Sequence, residues 1–273
     1  MRELIIRAIS GLFYAVLFLL SLQSQHALII LFFIFGMIVL AEFSKLIHFK
    51  SWIPYLVFIL LFLVFGYWQT VMQSYKGFDE AVQILHVLTI FVQLILIKDL
   101  FSEKPLPAVF SGKLINTTFY VTSAFIFIIL IANYKNTFNP RILLGAFILT
   151  WVNDSFAYLV GKNFGKQKLF PRISPKKTVE GFLGGLFFAC LGSFFISKYT
   201  GTLSFNNWLI LAIIVSVFGT LGDLIESKFK RQAGVKDSGI IMPGHGGLLD
   251  RLDSIIFAAP FIYLFLRIIN HVP

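Results

Sequence analysis

The chain has 273 residues, of which 58% are hydrophobic and only 13% are charged, and its mean hydropathy is +0.85. This composition excludes a soluble globular domain and is typical of an integral membrane protein. The formal net charge of +10 would also suit nucleic-acid binding. However, the charges flank apolar runs and no soluble domain carries a groove, so we expect anionic lipid headgroups as partners and no nucleic acid.

Apolar runs long enough to cross about 30 Å of hydrocarbon as helices recur along the whole chain. We predict an all-α polytopic membrane protein with about nine transmembrane helices. They lie near residues 8–23, 27–43, 52–69, 81–98, 115–133, 142–160, 179–197, 207–225 and 254–270. The basic, apolar start resembles a signal sequence, but no A-x-A site follows it, so we expect an uncleaved first span.

The basic residues are unevenly distributed between the two ends of these spans. Most of the 23 Lys and Arg residues fall on the side of the N-terminus, above all in the segments 161–178 and 226–253. The positive-inside rule therefore predicts a cytosolic N-terminus, a C-terminus outside and an active site at the cytosolic face. If the protein is bacterial, the membrane would be the plasma (inner) membrane.

The character of the spans changes near residue 140. The earlier spans are rich in Phe, Leu and Ile, whereas glycines, acids and bases accumulate at the cytosolic ends of the later ones. We therefore predict an N-terminal transmembrane scaffold over residues 1–110 and a middle helix with its connection over 111–141. A C-terminal catalytic transmembrane region follows over 142–273.

One acid lies inside the sixth predicted span. Asp154, which follows Asn153, is about 9 Å from the cytosolic end of that span at a rise of 1.5 Å per residue. A carboxylate at that depth costs several kcal/mol unless it is paired or lines a wet cavity, so Asp154 is a candidate site residue. The alternative is a hydrogen bond to a neighbouring helix.

The loop 161–178 is strongly basic and contains no acid. It ends in Ser174-Pro175-Lys176-Lys177-Thr178 and leads into the seventh span. A Ser or Thr before a helix start can act as N-cap, and the free N–H groups there favour phosphate, so we predict Thr178 as the N-cap. The alternative is a basic loop beside the membrane that merely obeys the positive-inside rule, which leaves the order of these residues unexplained.

Two pairs of acids stand three residues apart near the last basic segment. Asp223 and Glu226 end the eighth span, and Asp250 and Asp253 begin the ninth. Acids at this spacing share a helix face, and hard carboxylate oxygens at a membrane surface suit Mg²⁺. We prefer Asp223 and Asp250 as ligands, and the competing interpretation is helix-end acids paired with nearby basic residues. Glu226 is left out of the predicted ligand set.

A tight turn, His245-Gly246-Gly247, follows Pro243-Gly244. Its glycines would let the backbone approach a bulky anion closely. His245 could donate to a phosphate, move a proton or cap the following helix.

The segment Ser227 to Asp253 reads SKFKRQAGVKDSGIIMPGHGGLLDRLD. It resembles the signature of the phosphatidate cytidylyltransferase (CDP-diacylglycerol synthase) family. The matching residues are Ser227, Lys230-Arg231, Lys236-Asp237, His245-Gly246-Gly247, Asp250-Arg251 and Asp253. The stretch Ser174 to Gly181 and the pair Asn153-Asp154 also look like family features, whereas the first half of the chain matches only in hydropathy.

The resemblance implies transfer of a cytidylyl group from CTP to phosphatidic acid with Mg²⁺, giving CDP-diacylglycerol and pyrophosphate for phospholipid biosynthesis. Under it, the catalytic residues are Asp223, Asp250, Lys236, His245 and Arg251. The metal ligands are Asp223, Asp250, Asp253 and Asp154. The substrate-binding residues are Ser174, Lys176, Lys177, Thr178, Lys228, Lys230, Arg231, Asp237, Gly246 and Gly247. The resemblance and the Phe-rich surface are also consistent with a homodimer.

Three other functions stay open on the residues alone. A CTP-using polyprenol kinase or an archaeal-lipid cytidylyltransferase would act on a different lipid, because nothing in the motif recognises acyl chains. A transporter for anionic solutes would place Asp154 on its path. Transporters often carry paired repeats with charged sites near the midplane, whereas here the charges gather at one end and no repeat is evident.

Overall fold

The structure is a computed structural model that describes residues 2–71, 78–107, 112–242, 244 and 246–271. Helices form nearly all of it. In chain order they are α1 (Arg2–Ser21), α2 (Gln25–Leu46), α3 (Ile53–Val71), α4 (Phe78–Leu100), α5 (Lys113–Ala132), α6 (Pro140–Phe164), α7 (Val179–Thr200), α8 (Phe205–Gln232) and α9 (Leu249–His271). The middle of α3, Phe62–Trp68, and the segment Thr117–Thr122 of α5 are wound as π-helix.

The helices from α2 to α9 are each long and apolar enough to cross a membrane, and α1 contributes the shorter apolar stretch Ser10–Ser21. The prediction of an all-α polytopic membrane protein is therefore confirmed, with eight helices of spanning length among the described residues and a shorter apolar stretch in the ninth. Most predicted spans agree with the observed helices to within a few residues. Which end faces the cytosol stays a prediction.

Helices α1, α8 and α9 each extend at least five residues beyond a predicted end, and all three extensions carry charged residues. Helix α8 continues to Gln232 instead of ending near residue 225, and α9 begins at Leu249 instead of near residue 254. In the turns added to α8 and α9, Lys230 pairs with Glu226 and Asp250, so hydropathy alone underestimates these two helices. As a result, the acids of both helices project from regular helical turns.

The predicted basic loop contains a short hairpin. Strands β1 (Lys168–Phe170) and β2 (Ser174–Thr178) pair antiparallel. Thr178 is the N-cap of α7, as predicted, because its Oγ1 accepts a hydrogen bond from Gly181 N at 3.1 Å.

The tip of the hairpin is anchored to the segment that follows α4. The Phe170 and Phe101 ring centroids lie 5.6 Å apart, and Arg172 forms an ion pair with Glu103. The hydrogen bond and the charge of Arg172 hold the pKa of Glu103 below its ordinary value. These contacts hold the basic hairpin over the end of the helix bundle.

Glycines allow the C-terminal helices to pack closely. A Cβ at Gly185 of α7 would lie 2.6 Å from the Asn153 carbonyl oxygen of α6, and a Cβ at Gly222 of α8 would lie 2.5 Å from Phe257 Cβ of α9. Neither contact leaves room for a methyl group. The close approach of α8 to α9 brings the acids of the two helices together.

Helix α5 is the most deeply buried of the eight apolar spans. Its Phe125 and Phe127 are fully buried, and its Tyr120 packs against Phe43 of α2 at 5.1 Å and Phe229 of α8 at 6.0 Å. This helix forms the core around which the site is built.

Candidate active site

Three carboxylates meet where α8 and α9 pack together. Asp223 and Glu226 come from α8 and Asp253 comes from α9, and one oxygen of each lies within 4.8 Å of the others. We call these three residues the acidic cluster. Their spacing on α8 puts the first two on one helix face, and the close packing at Gly222 supplies the third.

Two lysines pair with the acidic cluster from different elements. Lys177 of β2 places its Nζ 2.5 Å from Asp223 Oδ2. Lys230, one turn along α8, places its Nζ 2.5 Å from Glu226 Oε2 and 2.6 Å from Asp250 Oδ1. The hairpin and α8 therefore both contribute positive charge at the site.

Glu226 is the most enclosed member of the acidic cluster, with 1% of its side chain exposed. Its Oε2 is paired with Lys230 Nζ at 2.5 Å, and no other residue that the structure describes donates a hydrogen bond to either of its oxygens. A buried carboxylate with free lone pairs is costly unless a further cation or a solvent molecule satisfies it.

Asp154 extends the negative charge to α6. Its Oδ1 accepts a hydrogen bond from Asn153 Nδ2 at 3.2 Å, and the carboxylate is close enough to Asp223 and Lys177 to interact with both electrostatically. Asn153 is buried while Asp154 is exposed on the protein surface. The structure thus places the predicted Asp154 beside the acidic cluster.

Asp250 has a different environment from Asp253. Its Oδ2 accepts hydrogen bonds from Ser238 N at 2.9 Å, Ser238 Oγ at 2.9 Å and Gly247 N at 2.7 Å, while Oδ1 faces Lys230. We predicted that the two acids of α9 point at one place. Instead, only Asp253 belongs to the acidic cluster, and Asp250 holds the preceding loop and reaches the cluster through Lys230.

The glycines of the predicted turn are required by space and by backbone conformation. Gly246 has φ of +87°, and a Cβ there would lie 2.7 Å from Asp250 Oδ2. A Cβ at Gly247 would lie 2.2 Å from Ser238 Oγ. His245, the predicted catalytic histidine between Gly244 and Gly246, lies outside the described residues.

The same loop is held from its other side by an acid of the N-terminal half. Glu42 of α2 is 6% exposed and accepts hydrogen bonds from Leu248 N at 3.1 Å and Leu249 N at 2.8 Å. These are N–H groups at the start of α9, which has no intrahelical partner for them. Ser238 Oγ also donates to Glu42 at 3.5 Å. Two carboxylates, Glu42 and Asp250, therefore hold Ser238 and residues 246–248 between α8 and α9. We call this part of the chain the clamped loop.

Glu42 was not predicted as a site residue, and Glu226 was outside the predicted ligand set. A signal for Glu42 was present, because it is the sole charged residue of the predicted span 27–43 and acids inside spans are usually functional. For Glu226 the spacing from Asp223 was noted, but only tertiary packing shows that Asp253 and Lys230 face it. Ser238, which bonds both clamping acids, carried no signal of its own.

Two cations that we predicted for substrate binding contact backbone carbonyls, and their predicted role stays a prediction. Lys228 Nζ donates to the carbonyl oxygens of Asp99 at 2.7 Å and Ser102 at 2.8 Å, at the end of α4. Arg231 donates to the carbonyls of Ile173 at 3.4 Å and Val235 at 3.2 Å. Both side chains tie α8 to neighbouring loops, so the structure does not bring them to the acidic cluster.

The remaining predicted residues surround the site. Ser174 is half-buried in β2, whereas Lys176 of β2, Arg251 of α9, Lys236 and Asp237 are exposed. Arg251 is close enough to interact electrostatically with Asp154. The contacts of these exposed groups with a substrate stay a prediction.

A sequence model of the cytidylyltransferase family matches residues 5–269. The chain belongs to this family. The match includes the first half of the chain, where we had recognised only similar hydropathy. The acidic cluster, its two lysines and the clamped loop all lie within the matched residues.

Known members of the family give closer similarities. The phosphatidate cytidylyltransferase of Bacillus subtilis (strain 168) is 34% identical over 274 residues, covering 97% of this chain and 98% of the relative. That of Staphylococcus aureus (strain COL) is 51% identical over 126 residues, 45% of this chain and 48% of the relative. The protein of Staphylococcus epidermidis (strain ATCC 12228 / FDA PCI 1200) is 49% identical over 128 residues, 46% of this chain and 49% of the relative.

Proposed function

We propose that this cytidylyltransferase-family protein transfers the cytidylyl group of CTP to phosphatidic acid, releasing pyrophosphate and CDP-diacylglycerol. One observation carries the proposal. The acidic cluster and its lysines form a buried charged site in a chain that is 34% identical, over nearly its whole length, to a phosphatidate cytidylyltransferase. Such a site suits chemistry on phosphates.

Mg²⁺ fits the acidic cluster, and we propose it as the metal. Three carboxylates offer the hard oxygen ligands that Mg²⁺ prefers, and among the described residues only Lys230 pairs with the Glu226 oxygens. The acids Asp154, Asp223, Glu226, Asp250 and Asp253 also outnumber the two lysines that pair with them. The bound ion would neutralise charge on the nucleotide phosphates, with Asp223, Glu226 and Asp253 holding it.

The protein's cations would support the transfer by electrostatic stabilisation. An oxygen of the phosphatidate phosphate forms a bond to the α-phosphorus of CTP, and the bond from that phosphorus to the bridging oxygen of the β-phosphate breaks. The attacking phosphate is already anionic, so no strong general base is needed. Negative charge builds up on the departing pyrophosphate, and Lys177, Lys176 and Arg251 would offset it.

Lys230 has a positioning role in this proposal. It is 9% exposed and is held between Glu226 and Asp250 at 2.5 and 2.6 Å. It therefore connects the acidic cluster to the clamped loop and offsets the repulsion between their carboxylates. Lys236 is exposed at the other end of this loop, where it would meet a substrate phosphate.

The orientation and the assembly are also part of the proposal. The basic hairpin and the acidic cluster lie at the end of the bundle that the charge distribution assigns to the cytosol, in the plasma membrane of a bacterium. We propose a homodimer that pairs through the exposed Phe-rich face of α7, which includes Phe187, Phe194 and Phe195. Chemical crosslinking in native membranes tests the dimer.

Product analysis of the purified protein tests the reaction. In detergent with CTP, phosphatidic acid and Mg²⁺, we expect pyrophosphate and CDP-diacylglycerol from the parent and neither from Asp223→Asn. The matched control Asp79→Asn, an acid at the opposite end of the bundle, should retain activity. Release of CDP would instead identify a lipid kinase, and equal turnover by Asp223→Asn would remove the acidic cluster from the mechanism.

A further inference from the structure

A cleft of about 760 Å³ opens beside the clamped loop. Its walls come from the last turns of α2, the turn that leads to α3, and the segment 233–240 after α8. This volume is within the range of about 300–1,000 Å³ that small-molecule sites occupy. The site residues predicted from sequence include Lys236 and Asp237 of its wall, whereas the α2 side of the cleft carries no assigned role.

The charge of the cleft favours an anion. Lys45, Lys50 and Lys236 line it from three different segments, and all three are exposed. Among the lining residues that the structure describes, Asp237 is the one acid. Ammonium groups that converge from several segments suit a phosphate, which accepts several charge-assisted hydrogen bonds at once.

The apolar part of the cleft favours a lipid over a free phosphate. Phe49, Tyr55 and Ile240 also line it, and Ile240 is 93% exposed. Trp52, in the adjoining turn, is 70% exposed and Ile241 is 55% exposed. Large apolar and aromatic side chains at the ends of membrane helices are typical of the level where acyl chains meet headgroups. These apolar side chains would not stabilise a small soluble anion such as free phosphate.

The cleft wall is connected to the acidic cluster by a short series of polar contacts. Ser238 lines the cleft and donates to Asp250 Oδ2 at 2.9 Å. Asp250 meets Lys230 at 2.6 Å, and Lys230 meets Glu226 at 2.5 Å. A ligand in the cleft would therefore contact the same loop that Asp250 holds.

We infer that this cleft binds the phosphomonoester headgroup of phosphatidic acid, with Lys45 and Lys50 on the phosphate and the acyl chains along Phe49 and Ile240. The inference rests on the proposed function, because it assigns the entry site of the lipid substrate. A phosphomonoester carries a charge of about −1.5 to −2 at neutral pH, more than the single charge of a phosphodiester lipid. Three lysines match that higher charge.

The double variant Lys45→Ala/Lys50→Ala tests this assignment by separating the two substrates. We expect the KM for phosphatidic acid to rise about 100-fold, because each of two lost hydrogen bonds to a charged group weakens binding by about tenfold. The KM for CTP should stay within about twofold of the parent. The matched control is Lys98→Ala/Lys104→Ala, which removes two exposed lysines that do not line the cleft. The control should keep both KM values.

Thermal unfolding in detergent gives a second measurement that needs no catalysis. Phosphatidic acid should raise the unfolding temperature of the parent and of the control, but not that of the Lys45/Lys50 variant. The inference is overturned if the variant keeps the parent's KM and stabilisation. Equal stabilisation by phosphatidylglycerol, a general anionic lipid effect, or by glycerol 3-phosphate, a soluble anion site, overturns it as well.

These measurements also distinguish the inference from the proposed function. A parent that makes no CDP-diacylglycerol refutes the proposed reaction. Lysine-dependent stabilisation by phosphatidic acid would then still support the cleft as a lipid site, and its absence would refute both. Activity without dependence on Lys45 and Lys50 refutes only the cleft.

Discussion

The carboxylate of Glu42, on the second helix of the bundle, accepts a hydrogen bond from the backbone N–H of Leu249 at 2.8 Å, across 207 positions of the chain. Together with the bond from Leu248, it supplies the N-terminal cap of α9 from a distant helix. The helix that carries Asp250 and Asp253 is thus oriented by a residue outside the signature segment.

Replacing Glu42 with Ala should lower activity because the loop before α9 loses one of its two clamping acids. We expect kcat to fall about 10- to 100-fold, as for other residues that orient a ligand set. Two buried N–H groups lose their acceptor, at a cost of about 1–3 kcal/mol each. Steady-state kinetics and denaturant unfolding measure the two effects.

The control for Glu42 is Gln93→Leu. Gln93 is also a fully buried polar residue of a span, but its amide atoms make no hydrogen bond within the part of the chain that the structure describes. This change should leave activity and stability near those of the parent. A Glu42→Ala protein with parental kcat would show that the clamp at Asp250 suffices.

The two lysines that pair with the acidic cluster should differ in how much their removal lowers the free energy of unfolding. Lys230→Met leaves Glu226 and Asp250 without their shared buried cation, so we expect a loss of about 3–5 kcal/mol in the free energy of unfolding. Lys177→Met should cost about 1 kcal/mol or less, because Lys177 and Asp223 are partly exposed. Chemical unfolding in detergent measures both values, and equal losses would contradict the burial argument.

Gly247→Ala should disrupt the clamped loop, since its Cβ would lie 2.2 Å from Ser238 Oγ and 2.7 Å from Glu42 Oε2. We expect activity to fall at least tenfold, with a destabilisation of about 1–3 kcal/mol from overpacking. Gly192→Ala is the matched control, because the nearest atoms to its Cβ are 3.9 Å away in α6. That variant should gain up to about 1 kcal/mol from better helix propensity.

Asp253→Asn should raise the stability of the metal-free protein and reduce the stabilisation that Mg²⁺ provides. In EDTA the variant should unfold at a higher temperature than the parent, because one of three like charges within 4.8 Å is removed. Millimolar Mg²⁺ should stabilise the parent by more than the variant, which has lost a ligand. Thermal unfolding in the two buffers checks this, and identical Mg²⁺ effects would argue against Asp253 as a ligand.

Much of the helical architecture could be predicted because hydrocarbon thickness alone demands long apolar runs. The N-cap at Thr178 was also predictable, since side-chain capping depends on neighbours in sequence. The hairpin around Phe170 and Ser174 was not, because its basic and proline-containing strands show no alternation of apolar residues. Patterns among neighbouring residues therefore predicted the helices and the N-cap, but not the pairing of the two strands.

Which residues come together at the site depends on tertiary packing. Helical spacing suggested that Asp250 and Asp253 act together, but the loop before α9 supplies N–H donors that draw Asp250 away from the acidic cluster. The division of the chain near residue 140 stays a prediction. Even so, the contacts of Glu42 show that the first part of the chain reaches the site directly.

The enclosure of α5 has a consequence for how the bilayer acts on this protein. Tyr120, Phe125 and Phe127 of this helix are fully buried in protein. Changes in membrane thickness or acyl-chain order act through lipid contacts, so they reach the outer helices first. We therefore expect the lipid composition to affect the packing of the outer helices more than that of α5, which lies among them.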